Sequence, residues 1–369
     1  MSEFRLPPSL SIVGNREIAE RILSEIWGGR GVFTCTVANT LTSTIPGVSD
    51  AGDTPELTLF TPAADAEMLV CGKTLCMDGI PINPGGIPTP ATLTMAALEL
   101  SGMPAYIING GCKVNPKIPC FDVGGECGDY ISTGKAVKNV REGFEKGKML
   151  GRMLSTGNDF LVVSESCAGG TTTALAVLMA MGATNGNHVS SSSPKNPREL
   201  KMKLVEEALS NAGIKKGDLA KDPLKAIACV GDPMMPANVG MIIGAAEKIP
   251  VIVGGGTQMA AVIAAAIALE PSVAGRIIHG TTRWLVKDPN SDVTKLISDI
   301  SPDVPLVYIN MDYSDSPHEG LQAYEWGYIK EGVGCGGACV AAVAASKGKI
   351  DCPELLDKVH EIYERIIGL

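Results

Sequence analysis

Short runs of β-branched and other apolar residues alternate with helix-length stretches along most of the chain, and few folds accept that order. The strand candidates are Leu57–Thr61, Ala105–Ile108, Phe160–Ser164, Ala226–Val230, Pro250–Val253, Arg276–Ile278 and Leu306–Ile309. Most are apolar throughout rather than alternating, as parallel strands covered on both faces are. The helix candidates between them are Pro90–Leu100, Lys135–Leu154, Thr171–Met181, Pro197–Ala212, Ala237–Lys248 and Gln258–Leu269. The order predicts an α/β, doubly wound, mainly parallel sheet of Rossmann-like type. Within the helix from Lys135, Ala136, Val140 and Phe144 fall on one face, and Pro236 stands at or just before its own helix start.

The chain ends differ from the middle. Asn15–Trp27 and Pro353–Ile367 are amphipathic and more charged, and predict a second, smaller helical lobe built by the two ends. The domain boundaries then fall at 31–323 for the sheet domain and at 1–30 plus 324–369 for the helical one. Asn185–Pro197, with serines from Ser190 to Ser193 in a row, reads as an exposed loop.

Composition excludes several function classes. With 45% apolar and 19% charged residues, 369 residues suffice for one large core. Only 4% are aromatic, so small side chains dominate the packing, as layered sheets and helices require. The net charge of −9 and the lack of a basic stripe argue against a nucleic-acid partner. Apolar stretches at Leu175–Met181 and Val262–Leu269 belong to helices far shorter than the ~20 residues a bilayer demands. The first residues, Met1-Ser-Glu-Phe-Arg-Leu-Pro-Pro8, lack the apolar run of a secretory signal. The eleven cysteines read as free thiols in a reducing cytoplasm. The close pairs Cys71/Cys76 and Cys335/Cys339 lack zinc-site spacing, and no histidine lies near them in sequence, so neither metal nor cofactor is expected.

In open parallel sheets, ligands bind beyond the carboxyl ends of the strands. Glycine-rich turns follow several strand candidates here: Asn109-Gly-Gly111, Gly231-Asp232-Pro233, and Gly254-Gly255-Gly256-Thr257. The richest runs Glu165-Ser166-Cys167-Ala168-Gly169-Gly170-Thr171-Thr172-Thr173, directly into a helix. Unpaired N–H groups and the dipole of a helix start favour an anion, and the two glycines let a phosphate approach the backbone. The same residues also suit a tight turn with a capped helix. A second segment, Tyr328-Ile-Lys330-Glu331-Gly332-Val-Gly334-Cys-Gly-Gly-Ala338, places one carboxylate among four glycines. In water Glu331 is an ordinary turn residue; facing an apolar cleft it becomes a usable general base.

These two segments, in this order, resemble the nicotinate-nucleotide–dimethylbenzimidazole phosphoribosyltransferases of cobalamin synthesis. Ser164-Glu165 through Thr171-Thr172 partly matches that family's Gly-Glu-x-Gly-x-x-Asn-Thr-Thr turn, and Ile329–Gly334 its Leu-Gly-Glu-Gly-Ser/Thr-Gly loop. Pro250–Gly255 is similar to its Pro-Val-x-x-Asp-Gly strand, and Phe121-Asp-Val-Gly124 with Ile131–Gly134 to an upstream stretch. The match spans roughly residues 55 to 345 and looks closest to the divergent, largely archaeal branch. The resemblance implies a six-stranded parallel sheet, a small helical domain from both ends and a homodimer. It also implies transfer of the 5-phosphoribosyl group of nicotinate mononucleotide to a benzimidazole-like base, with Glu331 as general base and Glu165 as a second site carboxylate. Departures fall mainly on the base pocket: Pro62-Ala-Ala-Asp65 stands near where the family has Asp-His-Gly, and Gly254 replaces an aspartate. Glu165–Gly170 is also close to the Glu-Ser-Cys-Thr-Gly-Gly of nicotinamide-mononucleotide amidohydrolases, where Ser166 becomes the residue of interest. A third alternative is a nucleotide-binding protein that kept the fold without the chemistry.

Overall fold

The computed structural model describes residues 4–52, 54–79, 82–83, 86–184 and 188–368. The first three residues, residues 185–187 of the Asn185–Pro197 stretch, and Leu369 therefore lie outside the described residues. The strands are β1 (Leu10–Val13), β2 (Gly31–Ala38), β3 (Ile82–Asn83), β4 (Ile87–Pro88), β5 (Ala105–Gly111), β6 (Phe121–Asp122), β7 (Phe160–Ser166), β8 (Val251–Gly254), β9 (Ile277–Thr282) and β10 (Leu306–Ile309). The helices are α1 (Arg16–Ile26), α2 (Pro55–Thr58), α3 (Thr61–Cys71), α4 (Ala91–Ser101), α5 (Val140–Leu154), α6 (Gly170–Met181), α7 (Arg198–Ala212), α8 (Pro223–Val230), α9 (Met234–Ala246), α10 (Thr257–Leu269), α11 (Arg283–Val286), α12 (Val293–Ile300), α13 (Glu319–Gln322), α14 (Cys335–Ala345) and α15 (Cys352–Ile367).

Eight strands form one sheet in the order β1-β10-β9-β8-β7-β2-β5-β6, all parallel except β1, which pairs antiparallel with β10. The resemblance implied six strands. The sheet gains its antiparallel edge from the N-terminal segment and a two-residue edge strand at β6. Alternate residues of each central strand feed two separate cores: Leu161 and Val163 one, Phe160 and Val162 the other. Helices α5, α6, α8, α9, α10 and α12 cover the first face; α1, α4, α14 and α15 cover the second. Burial on both faces explains why these strands read as unbroken apolar runs.

Two predicted strands are helical. Ala226–Val230 lies in α8, where Pro223, Ala226, Ile227 and Val230 are buried at helical spacing. Asp222 caps that helix by accepting from the Lys225 N–H at 3.2 Å, with Pro223 in the first turn. Leu57–Thr61 is split between α2 and α3; Thr54 caps α2, and Pro55 and Pro62 each occupy a first turn. The helix from Lys135 begins only at Val140, because Ala136 and Val137 donate instead to Cys229 and Ala228 carbonyls. Pro236 lies in the first turn of α9, where a missing N–H breaks no helical bond. Among the described residues no helix is long and apolar enough to cross a membrane. The eleven cysteines are unbridged.

Candidate active site

Strand β7 runs through the middle of the sheet, between β2 and β8, and delivers Glu165 and Ser166 at its carboxyl end. The turn that follows folds tightly. Gly170 donates to the Cys167 carbonyl at 3.1 Å and Thr172 to the Gly169 carbonyl at 3.0 Å. Gly169 has φ +76°, and a Cβ there would lie 2.9 Å from the Ser43 backbone, so only glycine fits. Of the three threonines, Thr171 faces the cavity. Thr172 is fully buried, and Thr173 donates to the Gly170 carbonyl and to Asp232.

The second segment reaches the same place from the other side. Glu331 precedes α14, whose glycines pack against β8 and β9. Its Oε1 accepts from the Gly332 N–H at 3.3 Å, the Gly336 N–H at 3.2 Å and the Cys335 thiol at 3.2 Å. Its Oε2 accepts from Thr281 Oγ1, at the end of β9, at 3.1 Å. Burial nevertheless pushes its pKa up to about 7, the four donors only opposing the rise.

Glu165 and Glu331 line one cavity of about 230 Å³ with Ser166, Cys167, Ala168, Gly169, Gly170, Thr171, Lys330 and Gly332. The charge of Glu331 reaches Glu165 across it. Burial, then the nearby Asp232, holds the Glu165 carboxyl well above the ordinary carboxylate range, and its Oε2 has no hydrogen-bond partner.

The remaining predicted residues stand outside that wall. Gly231 follows a helix, α8, rather than a strand, and Asp232 is buried, accepting from Thr173 and from the Met234 N–H at the start of α9. Gly254 and Gly334 are packing glycines, against Gly337 and Ser164 respectively. Gly255 donates its N–H to the Gly280 carbonyl at 3.0 Å.

The cavity also has members that the sequence reading missed. Asp65 on α3 accepts from Ser166 Oγ and from Thr89 Oγ1, each at 2.7 Å, and burial raises its pKa to about 6. Ser190 and Ser191 are buried, not exposed loop residues. Ser190 donates from its N–H to Thr257 at 2.9 Å and from Oγ to Asp288 at 3.1 Å. Beneath them Lys201 of α7 donates to the Ser190 carbonyl at 2.5 Å; burial, then the charge of Lys330, pulls its pKa down to about 7. Lys330 is itself buried and pairs with Asp288 at 3.7 Å. Lys330 lines the cavity here with Lys201 behind the serines, and Asp288 and Asp50 offset part of their charge. A signal existed for Lys201, which shares its helix face with the buried Val205 and Ala208.

A doubly wound sheet with two carboxyls converging on one cavity at its strand ends defines an α/β protein built to bind a small molecule. The comparisons agree. A family model described as phosphoribosyltransferase matches residues 128–283. A UPF0284 protein of Methanopyrus kandleri is 39% identical over 97% of this chain and 94% of its own length. UPF0284 proteins of Sulfurisphaera tokodaii and Methanothermobacter thermautotrophicus are 41% and 42% identical, over 91% of this chain and 94% and 93% of theirs. Among solved structures, the nicotinate-nucleotide-dimethylbenzimidazole phosphoribosyltransferase of Thermus thermophilus superposes with a TM-score of 0.55 at 17% identity, covering 89% of this chain and 88% of that one. A second structure, CobT from the same organism, gives a TM-score of 0.57 at 16% identity, covering 89% of each chain. At those identities the likeness is one of fold. The chain belongs to the family of UPF0284 proteins, and its residues 128–283 carry the domain that the phosphoribosyltransferase model describes.

Proposed function

We propose that this protein transfers the 5-phosphoribosyl group of nicotinate mononucleotide to an aromatic base of benzimidazole type, releasing nicotinate. The observation that carries the proposal is the convergence of Glu165 and Glu331, from two distant segments, on one cavity. A ring nitrogen of the base attacks C1′ as the bond from C1′ to the pyridinium nitrogen breaks, and nicotinate leaves with that electron pair. The proton on the base's second ring nitrogen passes to Glu331. A carboxyl with a pKa near 7 is half ionised at neutral pH, which suits a general base. Burial favours the neutral form of Glu165; a pyridinium cation beside it would favour the ionised form through its charge. The serine wall over Lys201 and Lys330, with the start of α6, would face the phosphate.

Incubation with nicotinate mononucleotide and a panel of benzimidazoles and purines tests the reading: free nicotinate should appear only when a base is present. No release with any base contradicts it. Hydrolysis that survives Glu331→Gln and disappears with Ser166→Ala would support the amidohydrolase alternative. Tight nucleotide binding without turnover would support a binding protein. Assembly as a homodimer, and a helical domain built from residues 1–30 and 324–369, belong to the same proposal. Light scattering and limited proteolysis test them.

A further inference from the structure

Asp65 is the third carboxylate lining the cavity, beside Glu165 and Glu331, and the transfer chemistry leaves it unused. It takes the hydrogens of two hydroxyls, Ser166 Oγ and Thr89 Oγ1, each at 2.7 Å. A hydroxyl has one hydrogen, so each side chain can offer a further partner only its lone pairs. Thr89 uses one lone pair on the Ala91 N–H at 3.3 Å. Ser166 lines the cavity, and with its hydrogen held by Asp65 it has only lone pairs to offer a ligand there.

This network also spans the site. At one end it holds Ser166, next to Glu165 on β7. At the other, Pro90 abuts Gly332, where a Cβ would fall 2.7 Å from the Pro90 ring, and Thr94 of α4 donates to the Val333 carbonyl at 3.0 Å. The Asp65–Thr89 wall therefore runs from β7 to the Glu331 loop, along the side where a base handing its proton to Glu331 must lie. Leu57, Met77 and Val333 give the same cavity apolar surface for a flat ring.

We infer that Asp65, acting through Ser166, is a positioning residue that selects the acceptor base: it favours a heteroaromatic ring carrying a hydrogen-bond donor, such as an exocyclic amine, over the same ring without one. The inference rests on the transferase reading for where the base lies. A ring carbonyl at that position meets oxygen lone pairs and is disfavoured. An unsubstituted ring leaves Ser166 without a donor inside a buried wall, and sites built around a hydrogen bond reject analogues that lack it.

Equilibrium binding of adenine, purine and hypoxanthine tests this without turnover, because adenine and purine differ only in the 6-amino group and hypoxanthine puts a carbonyl there beside an N1–H. The wild type is expected to bind adenine at least about tenfold more tightly than purine, with hypoxanthine weakest. Ser166→Ala should bring adenine and purine to within about threefold, with the fold intact by circular dichroism. Asp65→Ala removes both acceptor oxygens and frees the Ser166 hydrogen for a ring carbonyl, so the penalty on hypoxanthine should shrink at least about tenfold. Equal wild-type affinities for adenine and purine, or a preference that survives both substitutions, overturns the inference. So does a result in which the variants lose affinity for nicotinate mononucleotide while the base ratios stand, since the wall would then read the sugar. Nicotinate release is followed in parallel. Its absence beside an intact, Ser166-dependent preference for adenine supports this inference and removes the transferase reading.

Discussion

Gly337 lies so close over Gly254 that a Cβ on Gly337 would sit 2.4 Å from the Gly254 Cα. That contact seats the start of α14 on β8, and Gly336 does the same against the Thr281 backbone of β9, where a Cβ would be 2.1 Å from the carbonyl carbon. Backbone cannot swing aside as a side-chain tip can, so Gly337→Ala must displace α14. A cost of about 1–3 kcal/mol is expected, read as a lower denaturation midpoint. The displacement also moves the Gly336 N–H that Glu331 Oε1 accepts, so nicotinate release should fall with it. A Gly337→Ala variant with unchanged stability contradicts this packing.

The pH profile should show two opposite trends. Glu331 must be ionised to take a proton, and its pKa of about 7 places the rise in transfer rate across pH 6 to 8, with a plateau above. Stability moves the other way. A carboxyl whose folded pKa lies above its unfolded value binds its proton more tightly in the native state. Its contribution is then complete below the unfolded pKa of about 4.3 and disappears as pH rises through the folded one. Asp65 and Asp232, each raised to about 6, add to the same trend. The melting temperature should therefore decline from about pH 5 toward pH 7, less steeply in Glu331→Gln; above that range the lowered pKa of Lys201 acts the other way. A melting temperature that climbs over this range contradicts the buried-carboxyl site.

Lys201 offers a test of the lysine-bearing wall. Its ammonium is buried beneath Ser190 and near Lys330. Lys201→Met keeps most of the volume and removes the charge. Lys201 is fully buried behind Ser190 and acts on the phosphate through its charge, so KM for nicotinate mononucleotide should rise about threefold to tenfold. The affinity for the free base should not change. An equal loss for both substrates would place the phosphate elsewhere.

The alternation of apolar runs and helices gave the doubly wound sheet directly, because burial on both faces erases the polar positions of a strand. The central strand β2, Gly31-Val-Phe-Thr-Cys-Thr-Val-Ala38, was missed because its threonines break the apolar run. Thr34 and Thr36 are buried nonetheless, donating to the Val162 carbonyl and to Asn238. At Ala226–Val230 a short apolar run stood for a strand, although Asp222-Pro223 ahead of it signals a helix start. Glu165 and Glu331 were legible because glycine-rich turns flank them. Asp65 was not: it is one carboxylate inside an alanine-rich stretch, and its partners Ser166 and Thr89 are 101 and 24 residues away in sequence. Nothing local in the chain announces such a contact.

The most direct test compares wild type with Glu331→Gln, measuring nicotinate formed from nicotinate mononucleotide with a saturating base at pH 8. The amide keeps the shape of the side chain and cannot take the proton. General-base catalysis contributes about 10²–10⁴-fold, so kcat should fall by that factor while KM for nicotinate mononucleotide stays within about threefold. A Glu331→Gln protein that releases nicotinate at the wild-type rate would show that Glu331 is not the base.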